Sequence, residues 1–216
     1  MKMKDLALAQ VRRGERFTLD GVEFVKLEDD LDTAFAVAAD TLPECCQFED
    51  DDAEREDHNN YAGSLLSKTV ERWLRDKHPA IFSAVVERPI DLTTMDGMTD
   101  YGKPLAVVRA LTIDEYRKHR SVLPLTSKPY WLATGWTTNS SPFSFVGYAY
   151  RINTGGTVSY NRVYFANFAP RPAFNLKSSI VVSDSTDSDG CYTVESVPGN
   201  DGGLYVKNNG LWVRAV

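Results

Sequence analysis

The chain has 216 residues, a formal net charge of -6 at pH 7 and a hydrophobic content of 43%. This length is sufficient for one large domain with a well-buried core. The acidic balance, with no basic run longer than Arg12-Arg13, argues against binding to a nucleic-acid backbone, which requires clustered lysines and arginines.

The first residues predict an arm followed by strands. Residues 1–12 are compatible with a short helix or a docking arm, and we interpret residues 1–13 as an N-terminal arm. Strands are predicted over 16–19 and 22–27, since they flank Asp20-Gly21, which is a hairpin signal. A third strand is predicted over 33–39.

Two helices are predicted next. Residues 60–77 carry apolar side chains three and four positions apart, which is typical of a helix with one apolar face, and Pro79 should end that helix. Thr112 is a suitable N-cap for a short second helix that ends at His119, with acidic residues in its first turn.

The remaining segments favour short strands. Residues 81–86 and 106–111 are predicted strands, and from Tyr130 onward short aromatic and β-branched pieces alternate with glycine, asparagine, serine and threonine. Asn209-Gly210 predicts a final hairpin. The order of strands, helices and further short strands indicates an α+β protein.

The composition offers no site for a metal and no signal for export. The acidic run over 44–60 is predicted to be a solvated loop, and no stretch approaches the ~20 apolar residues of a membrane span. The N-terminal residues lack the apolar core of a signal peptide. The remaining candidate ligands have no metal-site spacing and are predicted to be turn or surface residues: Asp184, Asp187, Asp189, His58, His78 and His119.

The cysteines do not predict catalysis or a disulfide framework. Cys45 and Cys46 are adjacent and Cys191 stands alone, so the number is odd. The sequence places no lysine or histidine next to them, and such a neighbour is what would lower a thiol pKa. Phosphate loops, nucleophile elbows and zinc-protease motifs are also missing from the sequence. We therefore expect a protein made in a reducing cytoplasm that is not an enzyme and uses no cofactor.

The segment from Thr137 to Leu176 has an unusual composition. It contains no lysine, glutamate, glutamine, methionine or tryptophan, although the other 176 residues contain 31 of them. None of these five types has a codon that ends in C. Such a gap is expected where the adenines of AAC codons have been randomised, which is how diversity-generating retroelements vary a target gene. The alternative is that strands and turns simply disfavour several of these residues.

The residues that remain in this segment resemble an antibody paratope. Tyrosine and phenylalanine offer large contact areas with few rotatable bonds, whereas serine, threonine, asparagine and glycine offer adaptable hydrogen bonds. The predicted ligand-binding residues are Thr137, Thr138, Asn139, Phe143, Phe145, Tyr148, Arg151, Thr157, Ser159, Tyr160, Asn161, Arg162, Tyr164, Phe165, Asn167 and Phe168.

Three motifs frame this segment. Tyr130-Trp131-Leu132 precedes it, the run Ala149–Val158 lies within it, and the run Arg171–Leu176 (RPAFNL) closes it. With weaker similarities upstream, these motifs make residues 14–195 resemble a domain of unknown function found in phage and prophage minor structural proteins. That family is similar to the formylglycine-generating-enzyme branch of the C-type lectin fold, and its members are often targets of diversity-generating retroelements. Ala133-Thr134 departs from the family's Arg-Ser, so a salt bridge of the relatives should be missing.

The resemblance implies a C-type-lectin-like fold with two helices, a small mixed or antiparallel sheet and a long loop-rich C-terminal half. It makes residues 14–216 a single domain, whose variable segment covers about 134–170. Arg171 is expected to pair with a buried carboxylate or with carbonyls. Gly147 and Gly156 are expected in turns, and the expected core residues are Trp131, Ile152, Val158, Val163 and Phe174.

The resulting functional hypothesis is a receptor-binding or surface-display protein of a phage or prophage. Its ligand would be a host-surface protein or glycan, and other virion proteins are further possible partners; binding to nucleic acid and insertion into a membrane are not expected. We expect it in the virion, or in the cytoplasm during assembly. The alternative is a virion protein that is not diversified and makes assembly contacts only.

Overall fold

An eleven-stranded sheet dominates the part of the chain that the computed structural model describes, which is residues 6–198, 202–208 and 211–215. A three-stranded sheet and a two-stranded sheet accompany it. The strands of the described residues are β1 (Leu6–Ala7), β2 (Arg16–Leu19), β3 (Val22–Asp30), β4 (Thr33–Ala38), β5 (Val85–Val86), β6 (Arg88–Pro89), β7 (Leu105–Ala106), β8 (Val108–Arg109), β9 (Tyr130–Gly135), β10 (Tyr148–Ile152), β11 (Val158–Arg162), β12 (Ala173–Lys177), β13 (Val181–Val182), β14 (Cys191–Pro198), β15 (Leu204–Asn208) and β16 (Leu211–Arg214).

The large sheet is mixed because of one parallel pair. Its main path runs β1-β13-β14-β2-β3-β4-β12-β5, and β14 pairs with β2 in parallel, whereas the other pairs are antiparallel. β15 and β16 extend from β14, and β8 joins β12. β12 therefore reaches back from the C-terminal part of the chain to pair with β4.

Three α-helices and one short 3-10 helix complete the described elements: α1 (Leu65–Lys77), α2 (Pro79–Ala84), α3 (Ile113–His119) and the 3-10 helix Leu8–Gln10. α1 begins at its N-cap Ser64, whose hydroxyl accepts a hydrogen bond from the backbone N–H of Ser67 at 3.1 Å. Its apolar face, Leu66, Val70 and Leu74, is buried.

The central strands of the large sheet are covered on both faces. Phe24 and Phe174 pack together in one apolar cluster, with ring centroids 4.9 Å apart, and the apolar face of α1 joins the same cluster. Phe35 and Val37 project into a second cluster, which α3 joins. Successive side chains of a strand point to opposite faces, so burial of all six residues of β4 requires a cover on each side.

The prediction of an α+β, C-type-lectin-like fold with two helices and a small sheet is wrong. The described residues are mostly β, with sixteen strands, an eleven-stranded mixed sheet and three helices. Eight strands, β9 to β16, lie in the C-terminal half, and about half of the described residues there are outside strands and helices. The short strands themselves were expected, and the error lies in the small sheet and the two helices that the resemblance implied. The number of strands that join into one sheet depends on pairing between distant segments, which leaves no local hydrophobic period in the sequence.

Individual elements were predicted with mixed success. The hairpin of β2 and β3 is confirmed, and Asp20 and Gly21 both have positive φ, as a tight hairpin turn requires. The predicted strand over 81–86 is wrong at its start, because Pro79 opens α2 as its first residue. β15 and β16 pair as expected, but Asn209-Gly210 and residues 1–5 of the predicted arm lie outside the described residues.

None of the helices in the described residues is long and apolar enough to cross a membrane.

Candidate ligand-binding face

The three-stranded sheet β11-β10-β9 brings the aromatic residues of the unusual segment together. Tyr150 lies opposite Tyr160, and Tyr148 lies opposite Arg162, in the antiparallel register of β10 and β11. Directly opposite residues and alternate residues of a strand share one face, so these four side chains project to the same side. Trp136, which follows β9, joins them because its backbone N–H donates to the carbonyl of Tyr148 at 3.0 Å.

Five rings make up what we call the aromatic face, namely Trp136, Phe145, Tyr148, Tyr150 and Tyr160. Trp136 stands nearly perpendicular to Tyr160, with an interplanar angle of 88° and centroids 3.7 Å apart. It stacks almost parallel to the largely buried Tyr150, at 16° and 5.6 Å. Offset and edge-to-face contacts at the centroid separations of Trp136 from Tyr150 and Tyr148, 5.6 and 6.3 Å, are favourable beyond the apolar area that they bury, so these rings hold one another in place.

The aromatic face encloses a cleft of about 190 Å³ that is lined by Trp136, Phe145, Tyr148 and Tyr160. Tyr160 is 48% exposed and Phe145 52% exposed, which is unusual for such large apolar side chains. An exposed cluster of large apolar side chains is a common sign of a binding site.

Arg162 is the charged residue next to this cleft. Its Nε donates to the Tyr148 hydroxyl at 3.2 Å, and its Nη1 donates to the Tyr164 hydroxyl at 2.9 Å. In the described part of the chain no carboxylate forms an ion pair with this guanidinium. Hydrogen bonds to the two tyrosines raise the pKa of Arg162, so it is a permanent positive charge.

Asn59 supports the aromatic face through hydrogen bonds to its backbone. It is fully buried, and its Nδ2 donates to the carbonyls of Thr137 at 3.1 Å and Tyr148 at 2.8 Å. Its Oδ1 accepts a hydrogen bond from the Tyr101 hydroxyl at 2.6 Å. A Cβ on Gly135 would lie 2.8 Å from the Asn59 carbonyl oxygen, so only glycine allows this close approach.

An acidic rim supports the loop between β9 and β10. Ser141 donates to Asp96 at 2.5 Å, and both Thr138 and Ser140 donate to Asp100. Burial tends to raise the pKa of Asp96, but hydrogen bonds from Ser141 and Thr94 outweigh it and the pKa lies below its usual value. The Asp96 carboxylate is therefore charged at neutral pH.

The opposite face of the three-stranded sheet belongs to the core. Trp131 is fully buried and packs against Phe168 with ring centroids 4.6 Å apart. The guanidinium of Arg151 lies 4.6 Å from the Phe168 ring centroid, and burial lowers its pKa. A cation–π contact therefore covers Phe168 on this side.

The predicted binding residues divide into three groups by exposure. Eight are exposed, and these are Asn139, Phe143, Phe145, Thr157, Tyr160, Arg162, Phe165 and Asn167. Five are partly exposed, and these are Tyr148, Arg151, Ser159, Asn161 and Tyr164. Thr137, Thr138 and Phe168 are buried, because the two threonines hydrogen-bond within the protein and Phe168 packs on Trp131. These three do not belong to the exposed surface.

The expected core residues are largely confirmed. Trp131, Ile152, Val163 and Phe174 are buried, whereas Val158 is 42% exposed because β11 is an edge strand. Gly147 and Gly156 lie in turns as expected, and Gly156 has a φ of +76°.

Arg171 is also confirmed as a buried anchor. It donates to the carbonyls of Ala38 and Ala39 at 2.9 Å each, and to the Tyr130 hydroxyl at 3.0 Å. The interactions are with carbonyls rather than with a carboxylate, and they tie the segment after the aromatic face to the strand β4.

Sequence reasoning missed Trp136, Tyr150 and Asn59 as parts of this site. Trp136 was passed over because the segment was defined by its lack of tryptophan and so began one residue later. Asn59 falls in the acidic run, which was predicted to be a solvated loop; in the structure Glu49 and Phe48 of that run are also buried. Proximity of residue 59 to residues 137 and 148 is visible only in three dimensions.

None of the cysteines or histidines lines the cleft of the aromatic face. Burial, and to a lesser extent the neighbouring Cys45, raises the pKa of the Cys46 thiol to about 12, so that thiol is protonated at neutral pH. His119 is fully buried, contrary to the expectation of a surface residue. The described residues contain no group of three or more histidine, cysteine, aspartate or glutamate side chains that could hold a metal ion.

No family model matches the chain, and neither a curated protein nor a solved structure matches it.

Proposed function

We propose that this protein is a ligand-binding protein of a phage or prophage, which holds the aromatic face against a host-surface protein or glycan. The observation that carries the proposal is the exposed aromatic cleft, since three of its four rings belong to the segment that lacks the five residue types. Aromatic side chains of this kind dominate the energy of binding interfaces.

The distribution of burial in the segment supports diversification of its surface. Exposed positions alternate with partly exposed ones along β11, whereas β10 has three buried residues, Ala149, Tyr150 and Ile152, and two partly exposed ones, Tyr148 and Arg151. A sheet with an accessible edge strand and a partly buried inner strand can exchange outward side chains while its buried side chains preserve the core. We further propose that a retroelement has varied these outward positions.

The test is to sequence the encoding locus and its flanks in a population of the source element. We expect a reverse-transcriptase gene and a template repeat nearby, with adenine-derived differences at the codons of exposed residues such as Asn139, Tyr160 and Asn167. The codons of Trp131 and Arg171 should be invariant, and so should that of the buried Val163 within the segment.

The rival function is that of a virion protein that is not diversified and makes assembly contacts only. The C-terminal hairpin favours it locally, because Leu204, Leu211 and Val213 on β15 and β16 are exposed apolar residues. If the segment proves invariant and no template repeat lies nearby, diversification is excluded and the assembly role becomes the better explanation of the exposed apolar residues.

A further inference from the structure

We propose that the cleft of the aromatic face binds a phosphocholine group, with the quaternary ammonium between the rings and the phosphate at Arg162. The inference rests on the proposed function, since it assigns a ligand class to the same site in this copy of the protein.

The arrangement of the rings favours a compact cation. The angle between Trp136 and Tyr148 is 69°, and that between Tyr148 and Tyr160 is 70°, so the rings form walls rather than a flat platform. A sugar ring stacks best on a flat platform, whereas walls of aromatic rings surround a compact group. The negative π faces of aromatic rings attract cations, and recognition of quaternary ammonium groups uses such cages.

The size of the cleft is suitable for such a group. Its volume of about 190 Å³ is comparable with that of an apolar cavity of roughly 150 Å³ that holds benzene. A trimethylammonium group has fewer heavy atoms than benzene and therefore fits with room for its methylene arm to leave the cleft.

Arg162 is the residue that would bind the phosphate of the ligand. Its guanidinium carbon lies 6.0 Å from the Tyr148 ring centroid, so a positive charge stands at the cleft without a carboxylate partner in the described residues. A simple cation in the cleft would be repelled by this charge. A zwitterion instead places its phosphate on the guanidinium, which is well suited to bind phosphate oxygens.

Calorimetric titration of the full chain with three probes tests the inference. The probes are phosphocholine, choline and neohexyl phosphate, in which a quaternary carbon replaces the nitrogen. Phosphocholine should bind at least about 10-fold more tightly than either of the others, because each lacks one of the two charges. If neohexyl phosphate binds as tightly as phosphocholine, or if phosphocholine does not bind, the inference is overturned.

Variants separate the role of the ring from that of apolar area. Tyr160→Leu keeps an apolar side chain but removes the π face, and it should weaken phosphocholine binding about 10-fold, whereas Tyr160→Phe should retain binding. Phe143→Leu is the matched control, since Phe143 is exposed and does not line the cleft. Arg162→Gln should weaken phosphocholine but not choline. Circular dichroism spectra identical to those of the wild type establish that each variant is folded, and a folded Tyr160→Leu that still binds phosphocholine normally contradicts the inference.

Binding to lipid vesicles distinguishes between the sources of the phosphocholine group. Binding to phosphatidylcholine vesicles but not to phosphatidylglycerol vesicles identifies a lipid headgroup, and binding to free phosphocholine without vesicle binding identifies a group carried by a glycan or another molecule. Diversification is tested independently by the sequence of the locus, so a negative titration alone leaves the proposed function standing and removes only the ligand class.

Discussion

At the residue scale, Asn59 is a side chain on which the geometry of the aromatic face depends. It reaches two carbonyls, those of Thr137 and Tyr148, that lie on opposite sides of the loop carrying Phe145. Buried carbonyls that lose their donor retain the full cost of desolvation. The shape of the site is therefore set in part by a residue that cannot touch the ligand.

Replacing Asn59 with aspartate tests this role. Asn59→Asp is isosteric but cannot donate to the two carbonyls when ionised, so we expect the free energy of unfolding to fall by about 2–4 kcal/mol. Denaturant unfolding followed by tryptophan fluorescence measures it. Asn161→Asp is the control, because Asn161 is partly exposed and its Oδ1 only accepts a hydrogen bond from the N–H of Arg162. Equal stability of the two variants would contradict the assignment.

His119 makes the stability of the protein depend on pH. Burial lowers the pKa of His119 below its usual value, although Glu28, whose Oε1 lies 3.7 Å from Nε2, acts in the opposite direction. Between the lowered folded-state pKa and the unfolded-state value of about 6.5, the unfolded chain binds the proton and the folded protein does not. Stability is therefore fully present above this window and is lost as the pH falls through it.

We expect His119→Leu to remove this dependence. In the wild type the free energy of unfolding should fall between pH 7 and pH 5.5, and in the variant the curve should be flatter. Neither ring nitrogen of His119 has a hydrogen-bond partner, so an apolar replacement leaves no group unsatisfied. Arg117→Leu, at a more exposed position of the same helix, should keep the wild-type slope. Parallel curves for the wild type and His119→Leu would refute the expectation.

At the element scale, α3 is defined by its first turn. Thr112 Oγ1 accepts from the N–H of Glu115 at 3.2 Å, while the Glu115 carboxylate accepts from the N–H of Thr112 at 2.9 Å. The same carboxylate accepts two hydrogen bonds of 2.6 Å from Arg109. This reciprocal cap links α3 to β8, which explains why a helix of only seven residues persists.

Thr112→Ala should destabilise the protein by about 1 kcal/mol, because the Thr112 hydroxyl accepts a hydrogen bond from an N–H of the first turn that would otherwise be unpaired. Thermal or denaturant unfolding measures the loss, and Thr112→Ser, which keeps the hydroxyl, should recover most of it. A Thr112→Ala variant as stable as Thr112→Ser would show that the side-chain cap contributes little.

At the scale of the whole molecule, one apolar cluster connects the large sheet with the sheet of the binding face. Phe174 of β12, Leu66 of α1 and Trp131 of β9 all belong to it. Because these elements share one core, the scaffold and the aromatic face should unfold together rather than separately.

Phe174→Ala tests this coupling. Phe174 is buried against Phe24, so truncation should cost about 4 kcal/mol, and the transitions followed by far-ultraviolet circular dichroism and by tryptophan fluorescence should shift together. Phe143→Ala is the matched control, because Phe143 is 81% exposed and its loss should change stability by less than about 0.5 kcal/mol. Two separate transitions in Phe174→Ala would mean that the sheets are independent.

Local features of the fold were predictable from the sequence alone. The hairpin at Asp20-Gly21 and the cap at Thr112 follow from turn chemistry and capping, which act within a few residues. The burial of Trp131 and Phe174 was expected from the family resemblance and agrees with the hydrophobicity of these side chains. The same local reasoning identified the segment after Thr137 as rich in exposed aromatic residues, and Tyr160 and Phe145 are indeed exposed.

The pairing of the short strands and the surroundings of the aromatic residues could not be predicted in this way. β12 pairs with β4 over a separation of more than a hundred residues, and Asn59 reaches Tyr148 across 89 positions of the sequence. Strand pairing depends on hydrogen bonds between distant segments, which leave no period in the sequence of either one. The mostly β fold and the cleft beside Arg162 therefore became visible only when those segments were brought together.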